Sequence, residues 1–149
     1  MKRSAALAPL SRDHQHALDA ALRLRRATPE TVAEAVDRLE TFFETEGRRH
    51  FAIEERLLVP ALDADDPEWS EAVAHMLDDH RFVRAAADAL ASRDEIADPV
   101  GSANELGQRL NDHVRFEERV LFDIVERRLD DDALSRLGEA LEQAERAGG

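Results

Sequence analysis

The chain contains no cysteine and no tyrosine. The absence of cysteine excludes disulfides, thiolate metal sites and iron–sulfur clusters. A metal bound to this chain must therefore be held by nitrogen and oxygen atoms, which favours iron, manganese, zinc or copper. The absence of tyrosine removes tyrosyl-radical relays from the chemistry that is available to the protein.

Basic residues are also scarce, and there is no long apolar run. Lys and Arg number 20 against 33 Asp and Glu, and the resulting net charge of −13 argues against nucleic acid or an anionic membrane as a partner. No stretch approaches the roughly 18 consecutive apolar residues that cross a membrane. The apolar run from Ala5 to Leu10 is too short for a secretory signal. We therefore expect a cytoplasmic protein whose residues, 1–149, form a single domain.

Helix-forming residues dominate, and no segment shows the sustained alternation of polar and apolar residues that is typical of strands. The pattern predicts an all-α fold: an antiparallel up-down four-helix bundle at about 10–129 and a short C-terminal helix at about 131–146. We expect this last helix to pack along the outside of the bundle. Helices are predicted to start at Ser11, Thr28–Pro29, Asp66–Pro67 and Asp130–Asp132. A loop at 92–102 is predicted before the fourth helix.

Each of the four long helices carries a histidine where its apolar stripe would otherwise continue. Because steps of three and four residues keep side chains on one helix face, all four histidines are predicted to point into the core. They are His14, His50, His80 and His113. The stripes around two of them contain Leu39, Phe43, Ile53 and Leu57 in the second helix, and Leu106, Leu110, Val120 and Ile124 in the fourth.

Two glutamates follow these histidines one turn later. His50 precedes Glu54 and His113 precedes Glu117, so each pair projects from a single helix face. A buried carboxylate without a partner is very costly. Two divalent cations would satisfy all six groups, because each neutral imidazole binds through one nitrogen and carboxylates can bridge metals about 3.5–4 Å apart.

An internal repeat favours a symmetric site. Residues 50–58 read HFAIEERLL and residues 113–121 read HVRFEERVL. A duplicated helix pair folded face to face has approximate two-fold symmetry, which two metals bridged by two glutamates share. Residue counting places His14 less securely, because a turn near residue 28 leaves it about 9 Å from the level of His50 at a rise of about 1.5 Å per residue.

Other polar residues near these motifs have more than one interpretation. Glu55 and Glu118 directly follow the motif glutamates and are expected to pair with nearby surface arginines, with ligation of a metal as the alternative. Glu46, one turn before His50 on the same stripe, could support the site or replace a ligand. Three aspartates each precede a core histidine and either orient an imidazole on a neighbouring helix or lie on the helix surface: Asp13, Asp79 and Asp112.

The remaining histidines, His16 and His75, point away from the stripes, and we expect neither to be a ligand. Six aromatic residues are expected in the core, some of them as a dry wall around the metals: Phe43, Phe51, Phe82, Phe116, Phe122 and Trp69.

The order His, HxxxE, His, HxxxE resembles the hemerythrin-like HHE cation-binding family over nearly the whole predicted bundle. The resemblance implies two iron ions (Fe2+/Fe3+), bridged by two glutamates and an oxo, hydroxo or water ligand, with zinc and manganese as alternatives. The implied ligands are His14, His50, Glu54, His80, His113 and Glu117. The chain has Met76 where oxygen-carrying hemerythrins have a fifth histidine, and Glu117 where they have an aspartate, which brings it nearer to HHE domains linked to iron or oxygen sensing.

The resemblance implies a protein that binds or senses dioxygen, nitric oxide, peroxide or iron status. The expected partner is therefore a small diatomic or peroxide ligand, with no nucleic acid and no membrane. One alternative is a small di-iron oxidoreductase, which would need an external electron donor. The other is a metal store or a module in which the metal only stabilises the fold.

Overall fold

The computed structural model describes residues 3–92 and 96–148, which are helical almost throughout and contain no strand. Within these residues, no helix combines the length and the apolar character needed to cross a membrane. The α-helical segments are α1 (Ala8–Arg25), α2 (Val32–Phe42), α3 (Arg48–Ile53), α4 (Pro67–Ala91), α5 (Pro99–Phe116), α6 (Phe122–Arg128) and α7 (Asp131–Gly148). The all-α prediction is confirmed.

Short π-helical turns join some of these segments into longer helices. Phe43–Gly47 connects α2 to α3, and Glu54–Leu58 continues α3 to residue 58. Glu117–Leu121 connects α5 to α6. Residues 32–58 and 99–128 therefore each run as one long helix. Two 3-10 turns flank these helices, at Ala5–Leu7 before α1 and at Val59–Ala61 before α4.

Two of the predicted helix starts are confirmed. The Asp66 side chain accepts hydrogen bonds from the backbone N–H groups of Glu68 and Trp69, and α4 begins at Pro67. The Asp130 carboxylate accepts the N–H of Ala133 at 2.8 Å, and α7 follows from Asp131. In both cases an aspartate satisfies N–H groups that have no partner inside the first turn of the helix.

The other predicted starts are displaced. Helix α1 begins at Ala8, so Ser11 lies inside it, and the Ser11 hydroxyl donates to Glu118 instead of capping. Helix α2 begins at Val32 rather than at Thr28–Pro29, because residues 28–31 form a separate hydrogen-bonded turn.

The loop predicted at 92–102 ends earlier in the structure, at residue 98. The Asp98 carboxylate accepts the N–H of Gly101 at 2.9 Å, and α5 begins at Pro99. Residues 93–95 of that loop lie outside the described residues.

The apolar core is divided into two main clusters along the helices. One contains Leu24, Leu39 and Leu106. The other contains Leu10, Trp69, Phe122 and further residues. Along α1, α4 and α5, the histidines stand between residues of one cluster and residues of the other. The fold therefore places a buried polar layer between two apolar clusters.

The register of the core changes at two of the π-helical turns. Val120 was predicted to face the core, yet 42% of its surface is exposed, and Leu121 is fully buried instead. Leu57 is likewise only partly buried, whereas Leu58 is fully buried. A π-helical turn holds one residue more than an α-helical turn, so the apolar face moves on by one position. The prediction for Val120 is wrong for this reason.

Helix α7 lies across the outside of the other helices, as expected. It contacts α1, α3, the π-helical turn Glu54–Leu58 and the 3-10 turn at Ala5–Leu7. Leu137 and Leu141 are its buried residues. Among the longer helices, α1 packs against α2 and α5, and α4 packs against α5.

Candidate metal centre

The six residues selected by spacing meet in the buried polar layer. None exposes more than 3% of its surface. The histidines come from four helical segments, and the glutamates are the first residues of two π-helical turns: His14 on α1, His50 on α3, His80 on α4, His113 on α5, and Glu54 and Glu117. The structure therefore brings together the four histidines and two glutamates that the spacing had placed on core-facing stripes.

Four of the six residues form what we call the first group: His14, His50, Glu54 and Glu117. Their ligand-type atoms all lie within 4.8 Å of one another. His14 Nε2 is 2.9 Å from Glu117 Oε1. His50 Nε2 lies 3.3 Å from Glu54 Oε2 and 3.6 Å from Glu117 Oε1. The predicted difference in height between His14 and His50 does not separate them, since their ring centroids are 5.0 Å apart.

The second group consists of His80, His113 and the same two glutamates, also within 4.8 Å. His80 Nε2 lies 3.1 Å from Glu54 Oε1. His113 Nε2 lies 3.1 Å from Glu117 Oε2. Each glutamate therefore presents one oxygen to the first group and its other oxygen to the second. This is the arrangement that bridging carboxylates need between two metal ions.

Several polar atoms at this centre are buried without a hydrogen-bond partner among the described residues: His50 Nε2, His113 Nε2, Glu54 Oε2 and Glu117 Oε2. Buried polar atoms are almost always paired, because an unpaired one loses its hydration without replacement. All four are nitrogen or oxygen atoms of metal-ligating residue types, and they belong to the two groups. The residues present therefore fit a pair of cations bound by nitrogen and oxygen.

The electrostatics of the centre also favour positive charge. Burial by itself lowers the pKa of His113, but the charge of Glu117 and the hydrogen bond with Asp79 raise it to about 10. His80 behaves in the same way, and its contacts with Glu117 and Glu54 outweigh burial and raise its pKa to about 9. Burial raises the pKa of Glu117, but the nearby His113 lowers it well below its usual value. The imidazole nitrogens and carboxylate oxygens of the centre therefore favour bound protons, and metal ions would bind at the same atoms.

The family model described as Hemerythrin HHE cation binding domain matches residues 6–125. The chain belongs to the hemerythrin HHE cation-binding family. Comparisons with curated proteins and with solved structures gave no match. Membership of a cation-binding family and the buried His and Glu cluster point to the same function, which is the binding of metal cations.

Two aspartates of the HHE domain orient histidines on neighbouring helices, one of the two roles considered from the sequence. Asp13 Oδ2 lies 2.9 Å from His50 Nδ1, and Asp79 Oδ2 lies 3.0 Å from His113 Nδ1. A carboxylate that accepts the Nδ1 hydrogen leaves Nε2 free to bind a metal. Asp112 instead accepts a hydrogen bond from Gln108 on the same helix.

Two glutamates hold the other two histidines of the centre, His80 and His14. Glu55 Oε2 lies 2.7 Å from His80 Nδ1, and Glu118 Oε2 lies 2.6 Å from His14 Nδ1. The arginine pairing expected for both glutamates does not account for these contacts with histidines. The signal was the second glutamate in each copy of the repeat, which follows the motif glutamate directly.

Arginines anchor three of these four carboxylates. Arg84 donates to both oxygens of Glu55, at 2.7 and 3.2 Å. Arg109 donates to Asp79 at 2.7 Å. Glu118 accepts from Arg3 Nε at 3.3 Å and from the Ser11 hydroxyl at 2.8 Å. The expected arginine pairing is therefore present, and the same carboxylates also hold the histidines in place.

The fourth carboxylate, Asp13, lies against an acidic residue. Asp13, His50 and Glu145 place ligand-type atoms within 4.8 Å of one another, and Arg49 Nη2 lies 3.2 Å from Glu145 Oε2. Burial and the adjacent Asp13 raise the pKa of Glu145 to about 7. Burial also raises the pKa of Asp13, but its hydrogen bond with His50 and the adjacent Glu145 lower it. Glu145 was not among the candidate residues predicted from the sequence.

Aromatic rings cover part of the centre. Phe51 stacks on the His80 imidazole with ring centroids 3.9 Å apart, and Phe122 stacks on His14 at 5.5 Å. Phe116 instead stacks on the half-exposed His75, outside the centre. Two of the six aromatic residues listed from the sequence therefore lie directly against the histidines and exclude water from that side.

The remaining candidates lie outside the two groups. His16 is exposed and its Nδ1 lies 2.7 Å from Glu46, which accounts for that glutamate. His75 is 54% exposed at its side chain and approaches Asp79 at 3.3 Å. Met76 is fully buried and occupies the position where the fifth histidine of oxygen-carrying hemerythrins would stand.

Proposed function

We propose that this HHE domain binds two iron ions and uses them to bind or sense dioxygen, nitric oxide, peroxide or iron status. The first group would hold one ion and the second group the other, with Glu54 and Glu117 bridging them. The observation that carries the proposal is the division of each glutamate's two oxygens between the two groups. A single-metal site has no need of that division.

The proposal includes the helix arrangement that was predicted from the sequence. The first long helix is α1, the second spans residues 32–58, the third is α4 and the fourth spans residues 99–128. Short connections between successive helices and contacts of α1 with α2 and of α4 with α5 support an antiparallel up-down four-helix bundle. In such a bundle a site in the core receives side chains from all four helices.

Iron held by nitrogen and oxygen ligands supplies reversible binding of small oxidants and one-electron chemistry. The chain's own residues determine where that chemistry can occur. The Nδ1 contacts fix each imidazole with Nε2 facing the glutamates. Two histidines and two shared carboxylates give each ion four protein atoms, which leaves coordination positions for a small ligand. The rings of Phe51 and Phe122 keep water away from His80 and His14.

Binding or sensing is favoured over turnover by the composition of the chain. A chain without cysteine or tyrosine has neither a redox-active thiol nor a tyrosyl relay to deliver electrons. Repeated reduction of a bound oxidant would draw electrons from an external donor. A bound ligand that changes the charge of the centre needs no such donor, because the hydrogen-bonded carboxylates and arginines around the histidines respond to that charge.

The experiment that tests the proposal is metal analysis of the purified protein, combined with optical spectra before and after exposure to air, nitric oxide and peroxide. We expect two irons per chain, as two bridged ions require, and a charge-transfer band that responds to at least one of these oxidants. His16→Ala is the matched control, since His16 is exposed and outside both groups. His80→Ala should lose iron.

Each alternative function gives a different result in the same experiment. Catalytic turnover of peroxide or nitric oxide that is lost in His80→Ala would show an oxidoreductase and contradict a binding or sensing role. Zinc without iron, and spectra that do not respond to any oxidant, would contradict the proposal in favour of a metal store or a structural site.

A further inference from the structure

The two groups of the centre are supported by different parts of the chain. In the second group, the carboxylates that hold the histidines are Glu55 and Asp79. Arg84 and Arg109 anchor them, at 2.7 Å in each case. Both arginines lie within residues 6–125, the region that matches the family model.

The first group is supported from outside that region. Arg3 anchors Glu118, and Glu145 on α7 lies against Asp13, whose other contact is His50. Arg3 precedes the matched region, and Glu145 follows it. This half of the centre therefore has supports in the segments that flank the family match, in addition to the contacts of Ser11 with Glu118 and of Arg49 with Glu145. The other half has its arginine supports inside the match.

Helix α7 is held firmly where it meets the centre. The Glu145 side chain is 13% exposed and pairs with Arg49 at 3.2 Å, and its Oε1 is buried without a hydrogen-bond partner among the described residues. One turn before Leu141, a Cβ placed on Gly138 would lie 2.9 Å from Ala6 Cα. The helix thus packs directly on the N-terminal turn, with no room for a side chain between the two backbones.

We propose that Glu145 is a positioning residue for the first group: through Asp13 it holds the His50 imidazole in place for one of the two metal ions. Arg3 does the same for His14 through Glu118. The two flanking segments together control occupancy of the first group, and the second group fills without them. This inference rests on the two-metal site of the proposed function.

Loss of a group that orients a ligand histidine directly, as Asp13 does, lowers metal affinity about 10–100-fold. Because Glu145 acts through Asp13, we expect its loss to lower the affinity by about 10-fold, the lower end of that range. Asp13 holds the imidazole from the side opposite to the glutamates. Loss of Glu145 leaves Asp13 and His50 present but removes the group that fixes Asp13, so the His50 imidazole is held less rigidly. The second group keeps both of its arginine-anchored carboxylates. Weakening should therefore be confined to one ion.

The test is an anaerobic titration with Fe2+ against a chelator of known affinity, carried out on the full chain. In Glu145→Ala we expect one ion to bind as in the wild type and the other about 10-fold more weakly. Glu145→Gln should bind both ions as the wild type does, since the amide can donate to Asp13 and accept from Arg49. Glu142→Ala is the matched control, because Glu142 lies on the same helix and pairs with exposed Arg12.

Double variants separate the two halves of the centre. Arg3→Ala combined with Glu145→Ala removes supports of the same group, so one ion should still bind with wild-type affinity. Arg109→Ala combined with Glu145→Ala removes one support from each group, and both ions should bind weakly. Circular dichroism of each variant establishes that the helices are retained.

The inference would be overturned if Glu145→Ala bound both ions as tightly as the wild type does. It would also be overturned if the binding of both ions were weakened equally in Glu145→Ala. A wild-type protein that takes up no Fe2+ would overturn the proposed function and the inference together. A wild type that binds two ions while Glu145→Ala also binds two unchanged would overturn the inference alone.

Discussion

Each imidazole at the centre is constrained at both of its nitrogens. At His113, for example, Nδ1 lies 3.0 Å from Asp79 and Nε2 lies 3.1 Å from Glu117. A carboxylate can only accept, so Nδ1 keeps its hydrogen toward Asp79, and Nε2 is the nitrogen that can exchange its proton for a metal ion. The contact with Asp79 therefore selects Nε2 as the metal-binding nitrogen.

Removing one of these orienting carboxylates should weaken metal binding without removing a ligand. In Asp79→Ala we expect an affinity for Fe2+ about 10–100-fold lower, because His113 loses the group that orients it. A chelator competition measures this change. Asp78→Ala is the control, since Asp78 also pairs with Arg109 but is exposed and contacts no histidine of the centre. An equal loss in both variants would contradict the orienting role.

The residues that meet at the centre could be predicted because each lies on the apolar stripe of its own helix. Asp13 and Asp79 were candidates for orienting residues for a related reason, their position beside a core histidine. Glu55 and Glu118 could not be assigned this way. Each contacts a histidine of a different helix, and the periodicity of one helix carries no information about which neighbour its flanks will face.

At the scale of whole helices, the notable feature is the position of the π-helical turns. Glu54–Leu58 and Glu117–Leu121 each begin at a motif glutamate, so the internal repeat extends to local backbone geometry. The extra residue of each turn lets the glutamate face the centre while the following apolar residues return to the core one position later. A sequence analysis that assumes 3.6 residues per turn throughout places the wrong residue inside.

The shifted register can be tested by a pair of neighbouring substitutions. Leu121→Ala should lower the free energy of unfolding by about 2–5 kcal/mol, because it removes a fully buried side chain. Val120→Ala should change it by no more than about 0.5 kcal/mol, as expected at an exposed position. Chemical denaturation of both variants measures the difference. The reverse order would mean that a regular α-helix continues through this segment.

At the scale of the whole molecule, charge links folding to metal binding. The chain has a net charge of −13, and two fully buried glutamates lie at its centre. Without metal, the histidines beside them must supply the compensating charge as imidazolium groups. With metal, the same histidines are neutral ligands. The two states should therefore respond to pH in opposite directions.

In the metal-free protein, stability should fall as the pH rises above about 6.5, the usual pKa of histidine. The folded-state pKa values of about 9 for His80 and about 10 for His113 lie above the unfolded value. Their contribution is therefore complete below the unfolded pKa and is lost as the pH rises through the folded values.

The iron-loaded protein should instead lose stability as the pH falls, because protons compete with iron for Nε2. The difference in melting temperature between the loaded and metal-free forms should therefore grow from acidic to alkaline pH. Thermal unfolding of both forms between pH 5 and pH 10 measures it. A constant difference across this range would contradict competition between protons and metal at the same atoms.

The overall helical character could be predicted from composition and periodicity, and so could the outer position of α7. The link from Glu145 to the centre could not. It joins residues from distant parts of the chain, and it depends on which face of α7 packs against α1 and α3. Residue counting also placed His14 too far from His50, because it assumed straight, regular helices on either side of the turn.

The most direct test of the account is anomalous diffraction at the iron edge from crystals of the iron-loaded protein. We predict two peaks about 3.5–4 Å apart, one beside Nε2 of His14 and His50 and the other beside Nε2 of His80 and His113, with Glu54 and Glu117 between them. A single peak, or peaks away from these six side chains, would contradict the central claim.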